Sequence, residues 1–493
     1  DAGAMVTVHK QPSHVRSLFQ RRRGEPRMLH FNQFCFDLTD SVDTPPREIL
    51  YAKRPRGDGE TNLKNHFLRL REDLVGKLCR HYGHLPQRNR PSAKIETWKI
   101  AKTENMPEIF RTAKKWGFKR AFFMPMWASP TTEMNTKIRG TKDHPKLSKY
   151  AGWRFGNMCC PLAMDIAPDY GGWRGFRKIM TSAKKSGLEL YMWFGGHFSR
   201  HSKVREARIW ATDQCGQNQR NNYNGGLHVA NIRDPRLFNY YFDNFKKCKD
   251  AGLAGLFRDG HFNLCVDTIN YLPGAGRTGG GSPDQVGQFL HKPSPEDAFP
   301  LADIQDFHDT EAELQRKVQR ELGMVYYVES AGILGMPMTG TYYNHLCHNE
   351  WLFQDFATHS SPKETNAEGF TFRQAYFRAM ACRLSFNILM DPNEWKGPEK
   401  SRPRYLTDSF IAMIKGFGCV EDDLDVMQVL PNEQGIRWTT KDGKTETVFA
   451  YGAFDLDVPD GAAATDVIAG KAVRIAAGKV KCKALKIYQV TAK

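Results

Sequence analysis

Short apolar, aromatic-rich runs alternate along this chain with longer stretches in which apolar residues return every three or four positions. The runs at 29–36, 120–127, 188–194, 253–259, 324–329, 344–348 and 386–390 read as strands. The stretches at 62–82, 106–117, 172–187, 235–251, 303–322 and 371–383 read as amphipathic helices. A Pro/Gly-rich loop is expected at 45–59, and long loops at 131–150 and 266–300. Strands alternating with helices argue for a parallel sheet, and seven such units with long loops after the strands favour a (β/α)8 TIM-type barrel of the α/β class. After residue 420 the period changes to two. Residues 436–440, a Lys441-Asp-Gly turn and residues 446–451 read as a hairpin, continued at 473–476 and 484–490. The expected organisation is therefore a basic arm, or the end of an upstream domain, at 1–25, and a catalytic barrel at 26–420 with insertions at 45–105 and 266–300. A small C-terminal antiparallel β domain follows at 421–493.

Composition narrows the class. With 40% hydrophobic and 12% aromatic residues, the chain can build a sizeable core. No run approaches the roughly 18 apolar residues of a membrane span, so no membrane association is expected. The net charge of +17 is uneven: residues 1–150 hold 30 Lys and Arg against 15 Asp and Glu, and the remainder 41 against 39. Such asymmetry points to an anionic partner for the N-terminal third, with Lys137, Arg139, Lys142, Lys146 and Lys149 as its expected contacts. Eleven cysteines without a CxxC do not read as a disulfide framework or a zinc site. No metal and no cofactor are expected. The first residues show no charged segment followed by an apolar one, so no signal peptide is read, and the compartment stays open between secreted or periplasmic and cytoplasmic.

In a barrel of this kind, reactive groups sit at the C-terminal ends of strands. That rule selects Asp37, Trp127, the Gly195-Gly-His197 segment, Arg258-Asp259-Gly-His261, Glu329-Ser330, His348-Asn349-Glu350 and Asp391. Two facing carboxylates among these would suit glycosidic bond cleavage, and a strand-end Trp offers an apolar plate for a sugar ring. Gly274-Ala-Gly276-Arg-Thr-Gly279 matches GxGxxG, but Leu272-Pro273 precede it and Gly280-Gly281-Ser282-Pro283 follow, so no helix opens on it; a flexible Gly-rich lid is the better reading. GxSxG, GxxxxGK[ST] and HExxH do not occur.

Several segments resemble the catalytic barrel of the α-galactosidase (melibiase) group within glycoside hydrolase clan D. Pro26-Arg-Met-Leu-His-Phe-Asn32 is similar to its first strand, and Gly171-Gly-Trp173 through Trp193 to its segment of helix, Gly-Leu and strand ending in Trp. Gly252-Leu-Ala-Gly-Leu-Phe-Arg-Asp259 resembles the fourth-strand motif that closes on a basic residue and an Asp nucleophile. Val328-Glu329-Ser330 resembles its Glu-Ser-Cys stretch. The family's Ser-Asp-Asn acid/base signature has no counterpart, its position falling within residues 345–355. The resemblance implies a retaining glycoside hydrolase that removes α-linked galactose-type residues from an oligo- or polysaccharide, an anionic glycan among the options. Asp259 would be the nucleophile and Glu350 the acid/base, with Asp355 in reserve. Asn32, Trp127, Trp193, His197, Arg258, His261, Glu329, His348 and Trp351 would contact substrate. The alternatives are a non-catalytic carbohydrate-binding barrel, or another polysaccharide hydrolase using the same strand-end carboxylates. A nucleic-acid-binding protein driven by the basic third lacks any reader motif, so no nucleic-acid partner is expected.

Overall fold

The structure is a computed structural model of the chain. It describes residues 2–9, 15–21, 28–34 and 47–55, scattered positions between 65 and 90, most of 91–128, 163–167 and 170–195, short segments at 197–199, 220–221 and 227–229, most of 232–259, 304–328, and 371–492 apart from 384–386. Four strands come first: β1 (Ala2–His9), β2 (Val15–Arg21), β3 (Met28–Phe34) and β4 (Arg47–Arg54). β1 pairs antiparallel with β4, and β2 with β3. The apolar run around residue 30 is a strand, as expected, but it does not enter the parallel sheet. Residues expected as an arm and as a loop form the strands β1, β2 and β4. Local pattern specifies an extended chain; it does not specify the partner, and here an antiparallel neighbour close in sequence takes that role.

The first strand of the parallel sheet is β5 (Ser92–Ile95). It is followed by α1 (Met106–Lys115), β6 (Arg120–Phe123), β7 (Trp127–Ala128), β8 (Ala163–Ile166), α2 (Gly172–Lys185) and β9 (Glu189–Gly195). Three short strands come next, β10 (His197–Ser199), β11 (Arg220–Asn221) and β12 (Leu227–Val229). Then follow α3 (Pro235–Ala251), β13 (Gly255–Asp259), α4 (Ile304–Glu321), β14 (Val325–Val328), α5 (Phe372–Ala381), β15 (Asn387–Met390) and α6 (Asp408–Val420). The second strand stops at Phe123, and Trp127 belongs to a separate antiparallel pair with β8.

Six strands make one all-parallel sheet in the order β14-β13-β9-β6-β5-β15. The last of these strands in sequence, β15, lies beside the first, β5. In an open sheet that neighbour relation needs a crossover spanning every other strand; in a singly wound ring it is the nearest position. The run expected as the sixth strand, 344–348, lies outside the described residues.

Helix boundaries follow local chemistry. Asp234 accepts a hydrogen bond from the Arg236 N–H, Pro235 fills the first turn of α3, and Gly252 ends it at φ 106°. Thr371 and Gln374 form a reciprocal capping box on α5. Strand alternation then divides the sheet. Ala93, Ile95, Ala121, Phe123, Leu190, Met192, Leu256 and Ile388 join the helices in the main core. On the opposite face Phe122, Tyr191 and Tyr327 form an aromatic layer with Phe257 and Val325 packed on it. Phe122 stacks on Tyr191 at 5.1 Å between centroids, and Trp193 packs on Phe257 at 4.0 Å. Gly255 is what makes room: a Cβ there would stand 2.3 Å from the Tyr191 ring.

The C-terminal β domain comprises β16 (Val426–Val429), β17 (Gly435–Thr439), β18 (Thr445–Ala450), β19 (Phe454–Asp457), β20 (Ala463–Asp466), β21 (Lys471–Val473), β22 (Ile475–Ala476), β23 (Lys479–Cys482) and β24 (Lys486–Thr491). They form two antiparallel sheets, β16-β17-β18-β24-β20-β21 and β19-β23-β22. The exposed side of β16 is covered from the helical positions between 65 and 80: the Asn65 amide donates to the Val429 carbonyl (2.9 Å) and accepts from its N–H (2.6 Å). The Trp438 indole N–H donates to the Ala381 carbonyl (2.7 Å), tying β17 to α5. Glu421, 2% exposed, stands 3.2 Å from Arg120 and 3.0 Å from Lys119, at the N-terminal end of the parallel sheet. Burial acts to lower the pKa of Arg120, but Glu421, Tyr191 and Glu189 outweigh it and hold the guanidinium above its ordinary value. Among the described residues no helix is long and apolar enough to cross a membrane.

Two stability outcomes follow. Gly255→Ala should destabilise by about 1–3 kcal/mol, because the new methyl meets a ring held on both sides; thermal unfolding within a degree of wild type would contradict this packing. Glu421→Ala should cost on the order of 3 kcal/mol, since it leaves the buried Arg120 short of a counter-charge. Denaturant titration measures that loss, and a change below about 0.5 kcal/mol would show that the pair is a surface-type contact.

Candidate functional site

The C-terminal strand ends bring β9 and β13 together, with Gly195 paired to Asp259, the last residue of β13. Asp259 shares strand parity with Gly255 and Phe257, and Arg258 has the other parity. Arg258 is wholly buried on the helix side, where its guanidinium pairs with Glu311 of α4. The expectation that Arg258 contacts substrate is therefore corrected. Adjacent strand residues face opposite sides, and this cation is already committed to the carboxylate behind the sheet.

Trp127 and Trp193 are also corrected. Each is 1% exposed, and the Trp127 N–H is spent on the Trp193 carbonyl at 3.0 Å. Trp193 lies between Phe257 and the ammonium of the buried Lys94, 5.5 Å from its ring centre. Neither ring has a free face for a sugar. Asn32 lies in β3, opposite Ser17 of β2, outside the parallel sheet. His197 opens β10, opposite Val229 of β12, two residues beyond the Gly195 strand end. His261, Glu329, His348, Glu350, Trp351 and Asp355 lie outside the described residues, as do Lys137, Arg139, Lys142, Lys146 and Lys149.

Sequence reading passed over a polar cluster behind these strand ends. Glu311 and Gln315 sit one turn apart on the buried face of α4, with Leu314 and Val318. Tyr326 of β14 is buried beside them, and the charges of Glu311 and Arg258 act on its hydroxyl. From α3, the Tyr241 hydroxyl donates to the Gly195 carbonyl at 2.8 Å, the residue paired with Asp259. The cluster thus touches β9 and β13 near their C-terminal ends and β14 at its second residue. Burial raises the Glu311 carboxyl from its usual 4.5 to about 7, against the lowering effect of Arg258. The signal was legible: Glu311 and Gln315 fall within an otherwise apolar i, i+3, i+4, i+7 stripe.

At the opposite end of the sheet, a cavity of about 1070 Å3 lies against the β domain, lined by Arg90, Arg120, Glu189, Tyr191, Arg383 and Asp422 among others. Its charges are largely paired, Arg90 with Asp422 at 2.6 Å and Arg120 with Glu189 at 3.2 Å. Parallel α/β sheets gather their reactive groups at the C-terminal strand ends, so this cavity, at the N-terminal ends, is not the candidate active site. Among the described residues no group of three or more His, Cys, Asp or Glu could hold a metal ion.

No protein-family model matches the chain, and no curated protein sequence matches it. Among solved structures it is similar to a variant of the GH36 α-galactosidase AgaA from Geobacillus stearothermophilus in complex with raffinose. That match has a TM-score of 0.49 and 11% identity over 92% of this chain and 62% of that one. The α-galactosidase from Lactobacillus brevis gives a TM-score of 0.48 and 12% identity over 94% and 61% of the two chains. An α-amylase from Lactobacillus plantarum gives 0.47 and 12% over 81% and 98%. The fold rests on strand order and register, and the chemistry on the chain's own residues.

The raised pKa of Glu311 fixes the sign of a pH effect. Between its ordinary 4.5 and about 7 the folded state holds a proton that the unfolded state has released. The contribution of Glu311 to stability therefore falls as pH rises through that window and levels above it. The melting-temperature difference between wild type and Glu311→Gln should shift against wild type from about pH 5 to about pH 8. A constant difference across that range would remove Glu311 as the titrating group.

Proposed function

We propose that this chain is a glycoside hydrolase with a (β/α)8 catalytic barrel, retaining in mechanism, that releases α-linked galactose-type residues from an oligo- or polysaccharide. The observation that carries the reading is the position of Asp259. It is the C-terminal residue of an interior strand in an all-parallel sheet whose last strand in sequence lies beside its first. That is where barrel enzymes hold reactive groups. The local motif ending in Asp259 also resembles the nucleophile strand of the melibiase group.

In this mechanism the Asp259 carboxylate attacks the anomeric carbon while Glu350 protonates the departing oxygen. Water then hydrolyses the glycosyl-enzyme ester, with Glu350 now acting as base. Asp355 is the reserve acid/base. His197, His261, Glu329, His348 and Trp351 are the proposed substrate contacts. Retention requires the two carboxyl groups to stand about 5–5.5 Å apart, against about 6.5–9.5 Å for inversion.

Asp259→Asn should lower turnover of an aryl α-galactoside by more than about a thousandfold while leaving circular dichroism and melting temperature unchanged. A rate within about tenfold of wild type would sink the assignment. Glu350→Ala should slow substrates with poor leaving groups far more than activated aryl glycosides, with added azide restoring the latter. Equal loss on both classes would show that Glu350 serves the fold and not the proton transfer.

A further inference from the structure

The outer faces of α1 and α2 carry a row of exposed cations, bounded beside Lys115 by Glu399 and Asp408. The two helices pack side by side, and the Lys114 ammonium donates to the Gly187 carbonyl just beyond the end of α2 (3.3 Å). α1 exposes Arg111, Lys114 and Lys115. α2 exposes Arg174, Arg177, Lys178, Lys184 and Lys185, and its sequence contains no Asp or Glu. The one carboxylate within the two helices, Glu108, is half-buried and accepts the Trp395 indole N–H at 2.6 Å. Arg174, Arg177, Lys178, Lys184 and Lys185 recur at helical spacing, so they form a stripe on α2 about 16 Å long. The axis of α1 lies about 8–10 Å from that of α2, as for packed helices in general.

Local helix chemistry does not account for this pattern. Lysines in a last turn complement the helix dipole, which explains Lys114, Lys115, Lys184 and Lys185. Arg174 lies in the first turn of α2, where a cation opposes the dipole, and that turn has neither an acidic residue nor a side-chain cap. Arg174 with Arg177 and Lys178, and Arg111 with Lys114 and Lys115, place like charges at i, i+3 and i, i+4, which weakens a helix. Cations kept where they cost helix stability mark a surface selected for something other than folding.

We propose that the α1–α2 face is a docking surface for an acidic polysaccharide, separate from the strand-end site. Charge complementarity sets the polyanion. Neither helix face carries a large exposed apolar side chain that could enter a bilayer, the described ones elsewhere being Leu85 and Val426. The exposed positions of α1 and α2 carry no aromatic ring on which a nucleobase could stack. A polyuronate needs only spaced cations. The choice of a glycan among polyanions rests on the glycosidase reading above; the charge surface itself does not.

The test is binding to polygalacturonate in the Asp259→Asn background, at two salt concentrations, with neutral dextran and duplex DNA as comparisons. The triple variant Arg174→Gln/Arg177→Gln/Lys178→Gln should lose about tenfold or more in affinity, and wild-type affinity should fall steeply with salt. A control of equal charge change on the β domain, Lys471→Gln/Lys481→Gln/Lys483→Gln, should stay within about twofold. Thermal unfolding checks that both variants fold. Equal losses in the two triples, no polygalacturonate binding, or tighter binding of duplex DNA at the same salt would each overturn the proposal. The readout compares affinities of variants that share one strand-end site, so a failure of the Asp259 assignment and a failure of this surface are distinguishable.

Discussion

Parallel register is the constraint on which the rest of this molecule depends. Lys94, Phe122, Tyr191, Gly255 and Val325 are aligned strand to strand across five strands, with Trp193, Phe257 and Tyr327 aligned one step further along. A one-residue slip anywhere would exchange the two faces of a strand. It would drive Arg258 into the aromatic layer and leave Phe257 against the helices. Tyr191 fits because the residue aligned with it on β13 is Gly255, so a packing requirement and a register requirement coincide at one position.

The two ends of the sheet then solve different electrostatic problems. At the N-terminal end, Arg120 and Glu421 are nearly sealed from water and hold each other, while Arg90, Lys119 and Asp422 complete a network with one side toward solvent. That network fastens the chain entering the β domain against the sheet. Toward the C-terminal end, Arg258, Glu311, Tyr326 and Tyr241 spend their polar groups behind the strands. Buried ion pairs add little net stability but are costly to break. The buried Arg258–Glu311 pair and the Tyr241–Gly195 hydrogen bond hold β13 and β9 near their strand ends, as a catalytic carboxylate on β13 would require.

Surface charge follows a third logic. The excess of Lys and Arg in residues 1–150 directed attention to the segment around residue 140, yet the described cations concentrate on helices. α2, outside that N-terminal third, is the most one-sided of them. Counting along the chain cannot see that α1 and α2 lie side by side, because their cations are some sixty residues apart in sequence and join only through packing against the sheet.

What the sequence determined by itself was the set of elements whose local signals agree. α3 runs from residue 235 to 251 as read, because a capping Asp, a first-turn Pro and a terminal Gly act within a few residues of each other. The strands β9, β13 and β15 and the 436–451 hairpin were legible for the same reason: period and turn chemistry are short-range. Asp259 at a strand end was legible too. Tertiary structure alone decided which strands pair. The run near residue 30 went to an antiparallel partner and β5 took the first place in the parallel sheet. It also decided which strand-end side chains are free. Trp127, Trp193 and Arg258 have the right residue types in the right places, but burial and partners are sums over contacts far apart in sequence. Those sums commit the three to the core and to Glu311.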